Sequence, residues 1–131
     1  MIGWQSVLAV LVGGGIGSVI RYVLTFAITQ RVGPGFPWWT FIINITGSLV
    51  IGVVAEVTQT RTFSGAPLIR VFLMTGVLGG YTTFSSFSYD TLTLIGDRAQ
   101  LLALAYAAGS VVLGLVAAFA GVALVRAFST A

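Results

Sequence analysis

The run Thr75-Gly76-Val77-Leu78-Gly79-Gly80-Tyr81-Thr82-Thr83-Phe84-Ser85-Ser86-Phe87-Ser88 decides how this chain folds. It lies inside an apolar stretch, residues 68–95, long enough to cross a bilayer, which takes ~20 mostly apolar residues. Near the centre of that stretch, however, glycines and clustered hydroxyls give poor helix propensity. The expectation is a helix that unwinds or kinks mid-span. At membrane depth such backbone survives only when buried in protein or lining a water-filled cavity. Carbonyls freed at a break are also where ions bind.

The sequence on either side of this run supplies the lipid-facing context. Hydrophobic residues make up 57% of the 131, charged residues only 7%, and the mean hydropathy is +1.06. A soluble domain carries roughly a quarter charged residues, so this chain cannot cover its surface with polar groups. Four membrane-crossing helices are predicted, over residues 4–30, 39–58, 68–95 and 100–128, the third broken near its centre. They account for nearly the whole chain, which is read as a single transmembrane domain, 1–131. The first segment has no basic lead-in before Trp4 and is expected to stay as a helix rather than be cleaved as a signal peptide. Gly33-Pro34-Gly35 and Pro37 end the first helix. Trp38 and Trp39 then suit an interfacial belt. Gly13 and Gly17 form a small-xxx-small pair, a face for close helix packing.

Charge placement bears on topology. The net charge of +3 comes from six arginines and no lysine. With four spans, Arg61, Arg70 and Arg126 share one side of the membrane. Arg31 and Arg98 lie on the other, with Arg21 inside the first helix. Orientation follows an excess of basic residues in short loops, and here there is almost none. Insertion both ways up is one reading, which makes an antiparallel homodimer possible. A small bias sufficient for one orientation is the other. Four helices of ~10 Å diameter leave little room for a hydrated path, so a conduction role calls for more than one subunit. The arginines form no clustered basic face, so nucleic acid is not an expected partner.

The candidate residues for chemistry are few. Asn44, near the middle of the second helix, is costly in hydrocarbon without partners. It reads either as an interhelical tie or as a donor facing an anion path. Phe84 and Phe87 share a helix face. They read as packing, or as ring edges whose positive rim faces an anion, with Thr83, Ser85 and Ser86 adding hydroxyls. Tyr106, Ser110 and Gly114 share one face of the fourth helix, either as a polar track or as small-residue packing through Ala118. Glu56, Asp90, Asp97 and Arg21 need partners or water. No histidine, no cysteine and only three acids leave little material for a general base or a metal site, so a hydrolytic enzyme is not expected.

Three blocks resemble the small bacterial fluoride channels of the Fluc or CrcB family. They are the glycine-arginine block Gly13 to Tyr22, the block Thr40 to Gly52 around Asn44, and the broken run Thr75 to Ser88. The resemblance spans the chain end to end, and its third block is highly specific. It implies an antiparallel, dual-topology homodimer in the bacterial inner membrane that passes fluoride out of the cell through two pores. It implies that Phe84 and Phe87 line each pore by their ring edges, with Asn44, Ser85 and Ser86 on the fluoride path. Tyr106 and Ser110 match a polar track on the fourth helix. A central Na⁺ at the dimer axis would be held by the backbone carbonyls of Gly79 and Thr82. Gly114 departs from the track, standing where a serine occurs in the family, and Asp90 stands where glutamate is frequent.

Two other functions compete. Small multidrug-type proton-coupled exporters are also four-helix dimers, but they rely on a mid-membrane glutamate in the first helix. Here that helix has no acid and Glu56 lies near the end of the second. A non-transporting membrane subunit would use the polar mid-span residues only as glue.

Overall fold

The computed structural model describes residues 3–60 and 66–129. Arg61, counted above for topology, lies outside them. Among the described residues every regular element is a helix. α1 (Trp4–Thr29) and α2 (Trp38–Thr60) are the first two spans, and α6 (Gln100–Ser129) is the fourth. Between them a third span is assembled from pieces. α3 (Ala66–Arg70) leads into a π-helical stretch, Val71–Leu78, which continues as α4 (Gly79–Tyr81). Thr82 and Thr83 are extended, at φ −80°, ψ 159° and φ −150°, ψ 114°. α5 (Phe84–Gly96) then completes the crossing. All four spans are long and apolar enough to cross a membrane, and the chain is a multi-pass membrane protein.

The predicted break therefore falls at Thr82–Thr83, just after the glycines rather than on them. The π-helical winding before it was not expected from the residues. Its signature is the Gly79 N–H donating to the Met74 carbonyl, five residues back. Such wide turns inside α-helices frequently occur at functional sites.

Backbone contact arranges the spans in two pairs. α1 lies on the π-helical half of the third span, and Gly17 is where it comes nearest. A Cβ there would collide with the Val77 carbonyl oxygen and sit 2.9 Å from the Tyr81 nitrogen. α2 pairs with α6 in the same manner, Gly52 meeting the Ala118 carbonyl. This close approach is what small residues provide in a bilayer, where lipid is as apolar as leucine and dispersion packing drives helix association. The pairing of α6 through Ala118 also realises the packing reading of its small-residue face. α5 and α6 are joined by a tight turn in which the Arg98 N–H donates to the Ile95 carbonyl and the Ala99 N–H to the Leu94 carbonyl. Arg98 takes the left-handed conformation, φ 59°, a position usually given to glycine.

The core is small. Tyr106, Leu94 and Ala103 are buried, with Phe36, Phe41 and Phe87 packed around them. Much apolar surface remains exposed along every span, as lipid solvent allows. The acid near the end of α2 is not left bare. Glu56 accepts from Arg126 Nε at 2.9 Å and from its Nη2 at 3.2 Å, a bidentate pair tying α2 to α6.

Candidate functional site

The site is built where α2 crosses the break. An extended residue inside a span has a peptide with no helical partner, and in hydrocarbon that costs several kcal/mol. Asn44 meets that cost for Thr83. Its Nδ2 donates to the Thr83 carbonyl at 3.1 Å, and its Oδ1 accepts from the Thr83 N–H at 2.9 Å. The side-chain amide pairs with the main-chain peptide as a second strand would. Asn44 is thus an interhelical tie, and it has capacity left over. Nδ2 carries two hydrogens, and only one is used on Thr83.

Thr83 also caps the helix that follows. Its Oγ1 accepts from the Ser86 N–H at 3.1 Å, the geometry of an N-cap. The same hydroxyl lies 3.1 Å from both the Ser85 and Ser86 hydroxyls. The positive end of the α5 dipole faces the break. Thr82 closes α4 instead, its N–H and its Oγ1 both donating to the Leu78 carbonyl at 2.9 and 2.8 Å. Thr46 of α2 bonds the Tyr81 hydroxyl at 2.8 Å, a second tie beside the break.

Two cavities meet at Thr83. The first, about 290 Å³, is lined by Asn44, Ser48, Thr83, Phe84, Phe87 and Ser110 among others. The Ser110 hydroxyl is buried and has no hydrogen-bond partner among the described residues. Ser48 donates to the Asn44 carbonyl at 2.7 Å and lies opposite Gly114, where an added Cβ would be 3.4 Å from its Oγ. The second cavity, about 250 Å³, holds Arg21 with the hydroxyl residues Ser18, Thr25, Thr40, Thr83 and Ser86. No formal charge lines the first cavity; one arginine lines the second.

The aromatic residues form a continuous series. Phe84 and Phe87 have ring centroids 5.5 Å apart, and Phe87 is 5.4 Å from Tyr106. Phe36 meets Tyr106 edge-on at 5.5 Å. Phe84 is 79% exposed, so its ring faces outward from the subunit. The Tyr106 hydroxyl donates to Asp90 Oδ2 at 3.2 Å, which gives that acid its partner.

Of the residues singled out in the sequence, Asn44, Phe84, Phe87 and Ser110 share the first cavity. Ser86 lines the second. Ser85 is exposed and lines neither, and Tyr106 lies behind Phe87 in the core. Sequence reasoning missed Ser48 and the peptide of Thr83. It also missed the second cavity, whose polar groups come from three spans. The one available signal was the recurrence of Ser18, Arg21 and Thr25 at helical spacing on α1.

Gly79 and Thr82 fit a hard cation in one respect. In a continuous helix the Gly79 carbonyl receives the Thr83 N–H and the Thr82 carbonyl receives the Ser86 N–H. Here both amides go elsewhere, to Asn44 and to the Thr83 hydroxyl. Gly79 is exposed, with the Met74 carbonyl 3.7 Å from where its Cβ would stand. The break thus leaves these two carbonyls without their helical amide donors. No group of three or more acidic, histidine or cysteine side chains is placed to hold a metal among the described residues.

Comparison with known proteins agrees with this architecture. Residues 8–122 match the family described as CrcB-like protein, Camphor Resistance (CrcB). A Rhizobium meliloti (strain 1021) protein named fluoride-specific ion channel FluC is 49% identical, over 94% of this chain and 98% of the relative. A protein of the same name from Nitrobacter winogradskyi is 47% identical, over 94% and 97%. One from Rhodospirillum centenum is 45% identical, over 93% and 96%. With a family match across most of its length and relatives this similar end to end, the chain belongs to the CrcB-like family.

Proposed function

We propose that this chain is the subunit of a fluoride-selective channel, which lets fluoride leave the cell passively across the inner membrane. The observation that carries the reading is the first cavity. It is lined by hydrogen-bond donors and two phenyl rings and by no formal charge: Asn44, Ser110, Phe84 and Phe87. Fluoride is small and strongly hydrated. To enter it needs substitutes for water, and to leave it must not meet a full positive charge in the wall of the path itself. The spare hydrogen of Asn44 and the unpartnered Ser110 hydroxyl supply donors. The phenyl rims supply weak positive edges. The names of the relatives support fluoride as the anion.

The working unit in this reading is an antiparallel homodimer embedded in lipid. Phe84 and the first cavity open to the outside of the subunit, and a second copy would wall them. The same pairing brings the Gly79 and Thr82 carbonyls of both copies together around a central Na⁺. When bound, that ion supplies a fixed positive charge at the dimer axis.

The proton-coupled exporter has less support. Its essential acid would be Glu56, which is engaged with Arg126 near the end of α2. Reconstitution in liposomes loaded with fluoride tests the main reading. Fluoride release measured with a selective electrode is expected on addition of a K⁺ ionophore. Protein that releases none, beside a control channel that does, overturns it.

A further inference from the structure

The Gly79 and Thr82 carbonyls lose their helical amide donors at the break for identifiable reasons. An unwound turn does not by itself free a carbonyl, because neighbouring amides swing back to any acceptor within reach. At Gly79 the competing amide is the Thr83 N–H, and Asn44 Oδ1 takes it at 2.9 Å. At Thr82 it is the Ser86 N–H, and the Thr83 hydroxyl takes it at 3.1 Å. Asn44 is itself held by its second bond, Nδ2 to the Thr83 carbonyl at 3.1 Å.

We propose that Asn44 and the Thr83 hydroxyl are positioning residues for the cation, acting as substitute acceptors that keep two amides off the Gly79 and Thr82 carbonyls. This rests on the reading that Na⁺ binds at the break. Neither side chain touches the ion. Each removes a hydrogen-bond donor that would otherwise occupy an ion ligand and oppose a positive charge there. The arrangement also makes Asn44 common to both ions. Its Oδ1 protects a cation ligand, while its remaining amide hydrogen belongs to the anion cavity.

The test is Na⁺ binding, read apart from fluoride flux. Detergent-solubilised protein in fluoride-free N-methylglucamine buffer is melted at increasing Na⁺, followed by tryptophan fluorescence, with K⁺ as the comparison. The unaltered protein is expected to gain thermal stability saturably with Na⁺ and not with K⁺. Asn44→Leu and Thr83→Val are each expected to raise the half-saturating Na⁺ concentration at least tenfold. Thr93→Val, which removes an exposed α5 hydroxyl bonded only to its own helix at Tyr89, is expected to leave it unchanged. Should Asn44→Leu fail to fold, Thr83→Val carries the test, because it leaves both bonds from Asn44 to the Thr83 peptide in place. Wild-type half-saturation in Thr83→Val overturns the proposal while the cation reading stands. An equal loss in Thr93→Val overturns it too, by showing general destabilisation. An unaltered protein with no Na⁺ response overturns both readings.

Discussion

Under the proposed function, Ser110 is a single group that costs the fold and serves transport. Its hydroxyl is buried in the first cavity with no partner among the described residues. Leaving such a group unsatisfied costs about 1–3 kcal/mol. Ser110→Ala is therefore expected to keep or raise thermal stability by about 1 kcal/mol and, if the first cavity is the proposed fluoride path, to slow efflux because a donor there is gone. A loss of stability with unchanged efflux in liposomes would contradict both halves. Phe87 acts differently. It packs between Phe84 and Tyr106, so Phe87→Ile keeps an apolar side chain but loses the ring contacts on both sides. Each aromatic pair is worth about 0.5–1.5 kcal/mol, so the melting temperature should fall, and in the proposed channel efflux should fall with it because the ring edge is gone. Unimpeded efflux in this variant would remove the ring edge from the mechanism.

The helices depend on backbone contact more than on side-chain bulk. Gly17 lies against the Val77 carbonyl with no space for a methyl group. Gly17→Ala must push α1 away from the span that carries the break. Overpacking of this kind costs about 1–3 kcal/mol, and in the proposed channel the lower melting temperature should be accompanied by weaker efflux, since Gly17 packs against Val77 and Tyr81 next to the break. The α5–α6 turn predicts the opposite sign. Arg98 sits at φ 59°, where a side chain costs about 1–2 kcal/mol relative to glycine. Arg98→Gly is expected to raise stability by about 1 kcal/mol. A fall in melting temperature would mean that the arginine head group contributes more than its backbone costs.

In the molecule as a whole, the incomplete wall around the first cavity and the balance of arginines point the same way. In the proposed channel a subunit with Phe84 79% exposed would take a partner to enclose its path, and nearly even charge would let that partner insert upside down. The chain has no cysteine, so a single Asp97→Cys variant reports orientation directly. Membrane-impermeant thiol reagent is expected to label comparable fractions from each side of the membrane. Labelling from one side alone would rule out the antiparallel dimer. Glu56→Gln distinguishes channel from exporter. It is expected to lower the melting temperature, since Arg126 loses its bidentate partner, while fluoride efflux stays independent of an imposed proton gradient.

Hydropathy, glycine spacing and hydroxyl clustering are local properties, and they were enough to foresee four spans, a break in the third and close packing at Gly17. They also brought Asn44, Phe84, Phe87 and Ser110 forward as candidates, because a polar or aromatic group at mid-span stands out from its neighbours along the chain. The rest depended on distant residues. Nothing near Asn44 in the chain says that its partner is the peptide of Thr83, 39 residues away. The second cavity likewise draws its hydroxyls from three spans. The π-helical turn could not be foreseen from residues whose local preferences fit an α-helix equally well. Sequence alone determined that the third helix would unwind, because glycines and hydroxyls lower the cost of leaving the helix. Only the tertiary structure decided where the unwound peptide would be satisfied, because in a membrane that partner must come from another helix.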